Sequence, residues 1–422
     1  MRSHSVWSRF AFASYRPSPL RTSLLLLAAS VVLAASGPAS AQDGTGLPYS
    51  TVTRDAQVVA PDLASGRARS AVAASGVGVS RIVPNPVVAI GSSTNGPKII
   101  SSLTVPLPIT RRASAIRAAE SAAGVAAAEV PLLQIDARLA AANAWCDLWL
   151  SERTRDVAEE TVARARRILA AAEERLRDGS GPRLDVVRAT AEAARTRAEL
   201  VARVELVADA SSALSYWLGR DPTVLLHVTG TPPVAGTLAP LSELVARLEG
   251  HPLLARSAAR TRAALATVAL QKSQIWPSIG AQLGATLADS NLPKNNFSAG
   301  LVFDVPVFTW NRPAVAQAER GTVQVTAESD AAASRLRSDL VSAHAVLKAA
   351  VARADAAERD VLPASRLAAD LTRDAYQTGA VDLSAVIVAE KALADAKLAT
   401  FDALAQRGRA IAALEHALGG PL

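Results

Sequence analysis

Residues 279–287 read Ile-Gly-Ala-Gln-Leu-Gly-Ala-Thr-Leu, and residues 297–305 read Phe-Ser-Ala-Gly-Leu-Val-Phe-Asp-Val. Ile279, Ala281, Leu283, Ala285 and Leu287 alternate with Gly280, Gln282, Gly284 and Thr286. Phe297, Ala299, Leu301, Phe303, Val305 and Val307 alternate with Ser298, Gly300, Val302 and Asp304. Period-two alternation marks strands with one apolar face. Each run approaches the ~9–11 residues that a tilted transmembrane strand needs. Directly after them, Asn311 to Gln377 reads as 67 residues of helix. A continuous helix of that length runs ~100 Å, far beyond the ordinary globular range. Short amphipathic strands feeding a very long helix predict a mainly α chain with a small β membrane segment.

The same order occurs earlier in the chain. Arg177-Asp178-Gly179 precedes Val186-Val187-Arg188-Ala189 as Gln377-Thr378-Gly379 precedes Val386-Ile387-Val388-Ala389, an offset of 200. Ala213-Leu214 with Leu218-Gly219 matches Ala413-Leu414 with Leu418-Gly419 at the same offset of 200. Leu107-Pro108-Ile109 matches Val305-Pro306-Val307 at 198, and Ile82-Val83-Pro84 matches Ile275-Trp276-Pro277 at 193. A constant order at a near-constant offset is an internal repeat. Each copy reads helix, strand, strand, long helix, turn, helix. The first copy covers 42–220, with strands at 86–108, a long helix at 111–177 and a return helix at 184–219. A linker follows at 221–251. The second copy covers 252–420, with strands at 278–307, a long helix at 311–377 and a return helix at 383–418. The stretches Thr94 to Pro97 and Asp289 to Asn296 read as the connections between strands. Pro131 and Pro363 fall inside the long helices, where kinks are expected. Leu184, Val187, Ala191, Ala194, Ala198 and Val201 step by three and four, a coiled-coil seam.

Composition agrees with packed helices. Hydrophobic residues make up 50% of the 422, yet aromatics only 4%, so Ala, Val and Leu dominate. The net charge of +7 suggests a nucleic-acid surface until its source is located. Arg2, Arg9, Arg16 and Arg21 precede an apolar run from Leu24 to Ala35 and then Ala39-Ser40-Ala41. That is the pattern of a secretory signal peptide cleaved near Ala41. Taking those four arginines from 45 basic residues leaves 41 against 38 acids, a net charge of +3. The remaining charges alternate in sign along helical stretches, as on solvated faces, so no nucleic-acid partner is expected. A single cysteine, Cys146, excludes a disulfide framework and any multi-cysteine zinc site. His227, His251 and His344 are isolated, and no catalytic constellation or phosphate loop occurs, so neither an enzyme nor a resident metal or cofactor is expected. Cys146 reads as a small buried apolar residue. Trp145, Trp149 and Trp217 read as helix packing.

Four strands cannot close a membrane barrel, since the smallest bacterial single-chain barrels have eight. An open sheet in lipid leaves unsatisfied edges. Several chains must therefore share one barrel, with the helices projecting from it as a shared tube. A secreted chain of this kind belongs in a bacterial outer membrane, with its helices in the periplasm.

These features together resemble the TolC-like outer-membrane efflux channels, including a CzcC-like metal-efflux branch. The resemblance runs from about residue 55 to 420. It rests on the repeat, on His251-Pro252-Leu253-Leu254 opening a helix, and on Trp276-Pro277 before a strand. Val305-Pro306-Val307-Phe308 with Asn311-Arg312, Tyr376-x-x-Gly379 and the closing Ala413-Leu414 with Leu418-Gly419 complete it. The resemblance implies a homotrimer with a 12-stranded β-barrel above a 12-helix periplasmic α-barrel, residues 221–251 lying at its equator. It also implies docking to a periplasmic adaptor and an inner-membrane pump, commonly of the resistance-nodulation-division type. Two departures stand out. Pro61 to Arg81 carries Gly66, Gly76 and Gly78 and reads poorly as a helix. The acylated cysteine frequent at the family's N-terminus is absent.

The resemblance places the two inter-helix turns at the periplasmic tip, where they meet the adaptor and close the tunnel. The residues concerned are Arg177, Asp178, Gly179, Ser180, Arg373, Asp374, Tyr376 and Gly379, and the glycines suit tight reversals for backbone reasons alone. Carboxylate–guanidinium pairs across the tip, with Asp178 and Arg373 foremost, are expected to act as a weak latch. Trp276, Phe308 and Trp310 sit where strands meet helices, as an aromatic belt in contact with outer-membrane lipid would. Asp304 falls on the polar side of its strand, facing the lumen. Function reads as a passive exit duct for small molecules or metal ions. A duct for type I protein secretion and a soluble periplasmic coiled-coil scaffold or adaptor are the alternatives.

Overall fold

The computed structural model describes residues 46–92, 99–236, 238–287, 295–305, 308 and 310–422. The leader, the Thr94-to-Pro97 turn, most of the Asp289-to-Asn296 stretch and Pro306-Val307 lie outside the described residues.

The chain opens with β1 (Leu47–Pro48), α1 (Tyr49–Val59) and α2 (Pro61–Arg81), then β2 (Val87–Gly91) and β3 (Ile99–Leu107). The hairpin of α3 (Arg112–Arg177) and α4 (Arg183–Trp217) follows, then β4 (Val228–Thr229), α5 (Leu241–Arg247) and α6 (Pro252–Ser273). The second half contains β5 (Ser278–Leu287), β6 (Asn296–Asp304), α7 (Arg312–Ala356), a π turn (Ala357–Val361), α8 (Leu362–Gln377) and α9 (Leu383–Leu418).

The membrane-type strands form one antiparallel sheet in the order β2-β3-β5-β6, joining the two halves through β3 and β5. The register sets apolar rows side by side: Leu103 on Leu283, Ile279 on Phe303 and Ala281 on Leu301. The other face carries Ser102, Thr104, Gln282, Ser298 and glycines, with Ile100 and Val302 among them. A Cβ on Gly284 would lie 2.6 Å from Ser298 Oγ, which is why glycine fits that row. The apolar face is bare: Phe297 is 75% exposed and Leu301 61%. Such a face is unstable in water and natural in lipid. No described helix is long and apolar enough to cross a membrane.

The helices repeat the order of the strands. Near the sheet, α2 packs on α3, α3 on α6 and α6 on α7; farther away, α4 packs on α3, α3 on α9, and α9 on α7 and α8. Helix α3 passes through Pro131 as one 66-residue element. The second long helix widens instead into the π turn Ala357–Val361, where the Leu362 N–H bonds to the Ala357 carbonyl. The wider turn directly precedes Pro363, whose ring would otherwise press on a carbonyl four residues back.

Two expectations need correction. Pro61–Arg81 is a helix of 21 residues despite its glycines. A Cβ on Gly66 would meet Leu133 Cδ1 at 2.3 Å, so this glycine lets α2 approach α3, while Leu63 beside it is fully buried. Close packing outweighs a propensity cost of ~1 kcal/mol for glycine. The seam of α4 is also a different stripe. Leu184, Val187 and Val201 are 54%, 58% and 62% exposed, whereas Ala189, Ala193, Thr196, Val207, Ala210 and Leu214 are buried. Both stripes step by three and four. The inner one uses smaller residues toward the tip, which allows close backbone approach there.

A core sits near mid-length, where Trp145 and Trp149 of α3 project one turn apart. The Trp145 indole donates to the Leu47 carbonyl and the Trp149 indole to the Gly230 carbonyl, both at 2.9 Å. They pin the parallel pair β1–β4 and so tie the N-terminal segment to the linker. Cys146 lies buried beside them, and burial pushes its thiol up to about 12. Trp217 packs against Ala60, Leu63 and Ala137.

Candidate functional site

Both inter-helix turns are built alike. The Ser180 N–H reaches the Arg175 carbonyl at 2.9 Å and the Gly179 N–H the Leu176 carbonyl at 3.1 Å. In the second turn the Ala380 N–H reaches the Ala375 carbonyl at 2.8 Å and the Gly379 N–H the Tyr376 carbonyl at 3.1 Å. These paired bonds satisfy the last helical carbonyls and require a left-handed residue. Gly179 and Gly379 supply it, at φ +70 and +77. The following helices begin differently. Pro182 stands at the start of α4 without a side-chain cap, while the Asp382 carboxylate accepts the Ala385 N–H at 3.1 Å.

The two tips touch. Ala172, Ala189 and Leu383 form a small core with Ile168, Val186, Tyr376 and Ile387, drawing on all four helices. The Arg175 guanidinium lies 4.9 Å from the centre of the Tyr376 ring, linking the first hairpin to the second. Arg177 ends α3, Asp178 follows it, and the Ser180 hydroxyl donates to the Arg175 carbonyl at 3.2 Å. The Asp374 carbonyl accepts the Thr378 N–H at 3.2 Å.

Arg373 is committed inside its own chain. It donates to Asp370 at 3.0 Å and to Glu390, whose hydrogen bond holds the guanidinium pKa above its ordinary value. Asp178 makes no ion pair among the described residues, so the two halves of the expected latch are not joined within the chain. Glu390 is the hub instead. It also accepts from Arg164 at 3.1 Å, Arg164 donates to Glu160 at 2.9 Å, and Lys397 donates to Glu160. The network joins α3, α8 and α9. Sequence reasoning missed Glu390, although Leu383, Val386, Glu390, Leu393 and Lys397 step by three and four. A carboxylate inside such a seam was the available signal.

At the sheet end, Trp276, Phe308 and Trp310 are 65%, 97% and 47% exposed. Trp310 and Asn311 adopt φ +48 and +51, the left-handed non-glycine pair among the described residues. Two such residues store roughly 1–3 kcal/mol each and must be held. Asn311 does the holding: its amide donates to the Gln271 carbonyl at 2.8 Å and to the Gln271 side chain at 3.2 Å. Arg111 donates to the Trp276 carbonyl at 2.9 Å, anchoring the neighbouring junction. Asp304 lies on the polar face of β6, 3.4 Å from the Ser278 hydroxyl.

Of the histidines, His227 meets Glu152 at 3.0 Å and His416 meets Asp136 at 2.7 Å. His251 caps α6, accepting the Leu253 N–H at 3.0 Å. Among the described residues no cluster of acids, histidines and cysteine is arranged to hold a metal ion.

The model of the outer membrane efflux protein family matches residues 52–220 and 244–420. The chain belongs to that family. As an outer membrane efflux protein it is 24% identical to the cobalt-zinc-cadmium resistance protein CzcC of Cupriavidus metallidurans, over 82% of this chain and 83% of that one. The fold of this efflux protein is that of the outer membrane protein VceC of Vibrio cholerae, with a TM-score of 0.71 and 18% identity over 88% of this chain and 96% of that chain. The CmeC outer membrane channel of Campylobacter jejuni superposes with a TM-score of 0.75 and 12% identity, over 88% of this chain and 85% of that chain. Membership of the outer membrane efflux protein family, together with the bare sheet, sets aside a soluble scaffold or adaptor.

Proposed function

We propose that three copies of this chain close one outer-membrane channel, a passive exit duct from periplasm to exterior for small molecules or metal ions. The observation that carries it is the match between two kinds of open edge. Strands β2 and β6 are the outer strands of the sheet. Helix α4 bares Leu184, Val187 and Val201, and at the other end of the helix order the π turn and α8 bare Val361, Leu367 and Leu371. Edge strands in lipid need partners, and bare apolar helix faces need cover. One head-to-tail contact supplies both, and repeated around an axis it closes a ring. Three copies give 12 strands and 12 long helical segments, the arrangement the family resemblance implies.

Divalent metal ions are the favoured cargo because the CzcC relative covers most of both chains. The duct makes no covalent change and needs no resident cofactor. Energy belongs to an inner-membrane pump, reached through a periplasmic adaptor at the tip. The segment before residue 42 acts as the export signal. Cross-linking tests the ring. Val187→Cys with Leu371→Cys in one chain should give disulfide-linked trimers on non-reducing gels, and each single variant should give monomers. Monomers alone from the double variant, under oxidation that is complete elsewhere, would reject this packing.

A further inference from the structure

Where α6 begins and α9 ends, the two helices meet, and a His251 ring nitrogen lies 3.2 Å from the His416 carbonyl. A pocket of about 500 Å³ opens at this joint between α3 and α7, within the size range of small-molecule sites. Its walls are largely apolar: Leu132, Ile135, Leu253, Leu336, Ala343 and Val346. Several of its polar groups are already committed. Asp136 holds His416 at 2.7 Å, and both ring nitrogens of His251 have backbone partners. Two charges are not committed. Arg256 of α6 and Asp339 of α7 line the pocket, and neither side chain makes an ion pair or hydrogen bond among the described residues. The Nε of Arg256 is buried without a partner. Burial, helped by the neighbouring Arg260, holds this guanidinium below its ordinary value. A desolvated cation with no counter-charge is costly, and a ligand that brings an anion removes the cost.

The spacing of the two charges selects among ligands. Helix α6 runs toward the sheet and α7 away from it, in register at the Lys272–Glu319 pair. Equal steps back from Lys272 and forward from Glu319 bring Arg256 level with Arg335. Asp339 is one helical turn beyond, an offset of ~5–6 Å. A simple anion would answer Arg256 and leave Asp339 bare. A ligand with an anion at one end and an ammonium at the other answers both, and its body lies against the apolar walls. We propose that this pocket binds a small zwitterion with an apolar body, its anion on Arg256 and its ammonium on Asp339. A dipeptide of apolar residues has the right dimensions, since two extended residues span ~7 Å.

The test is titration calorimetry on the full chain extracted in detergent. Leucyl-leucine should bind. Its N-acetyl and C-amide forms, each lacking one charge, should bind about tenfold or more weakly, as expected for loss of a charged hydrogen-bonding partner. Glycyl-glycine should also bind more weakly, because it keeps the charges and loses the apolar side chains. Arg256→Gln should abolish the difference between leucyl-leucine and its C-amide. Asp339→Asn should abolish the difference between leucyl-leucine and its N-acetyl form. Unfolding curves that match the wild type establish that both variants keep the fold. The proposal fails if leucyl-leucine does not bind, if capping either end leaves affinity unchanged, or if both variants still discriminate as the wild type does. Phosphoethanolamine binding as tightly as leucyl-leucine would also overturn it, in favour of a lipid headgroup site. Binding here needs neither ring closure nor a second protein. Failure of the titration therefore leaves the duct reading intact, and a monomer that binds leucyl-leucine would contradict the duct while keeping this site.

Discussion

Gly179 and Gly379 do work that no other residue type does at comparable cost. Their left-handed backbone lets each pair of long helices reverse within a few residues. Gly179→Ala should cost about 1 kcal/mol, visible as a lower unfolding midpoint, while adding no steric clash, since no atom lies within 4 Å of the new Cβ. The turn glycines were legible from sequence because a reversal between two helices demands this backbone. Asn311 was not, because its role depends on Gln271, forty positions earlier, meeting it through the fold. His251 makes a pH prediction. Burial holds its pKa below the ordinary value of 6.5, and both ring nitrogens bond in the neutral form. Protonation is then easier in the unfolded chain, so stability should fall as pH drops below 6.5 toward the lower folded value. His251→Asn keeps a cap acceptor without titrating. Its unfolding midpoint should lose less than the wild type's between pH 7 and pH 5; an equal loss would place the effect elsewhere.

At the scale of elements, helix and strand periodicity revealed what forms but not which face turns inward. The apolar stripe of α4 from Leu184 to Val201 is a true coiled-coil pattern that lies bare on this chain. Two stripes of equal period run along one helix, and only packing against α3 distinguishes them. The same limit hid Glu390, whose importance comes from Arg164 and Arg373 approaching from two other helices. That hub ties α8 and α9 to α3. Glu390→Gln keeps the shape and removes the charge that both guanidinium groups share. Amide exchange over residues 362–393 should accelerate about tenfold, equivalent to ~1.4 kcal/mol of local stability. Exchange no faster than in the wild type would show that apolar packing at the tip suffices without the hub.

For the whole molecule, the repeat explains why one chain ends in open edges on both sides. Each copy contributes two strands and one long hairpin, and two copies make a sheet of four strands with β2 and β6 unpaired at its rim. Neither a water-soluble monomer nor a lipid-embedded monomer satisfies those edges. The proposed closure between copies would, and it would place the polar and glycine-rich face of the sheet around a lumen, with the apolar face toward lipid. Fractionation of cells expressing the full chain, followed by native mass measurement of the extracted protein, tests this most directly. The account predicts an outer-membrane species of three copies lacking the first 41 residues. A monomer recovered from the soluble periplasm would contradict it.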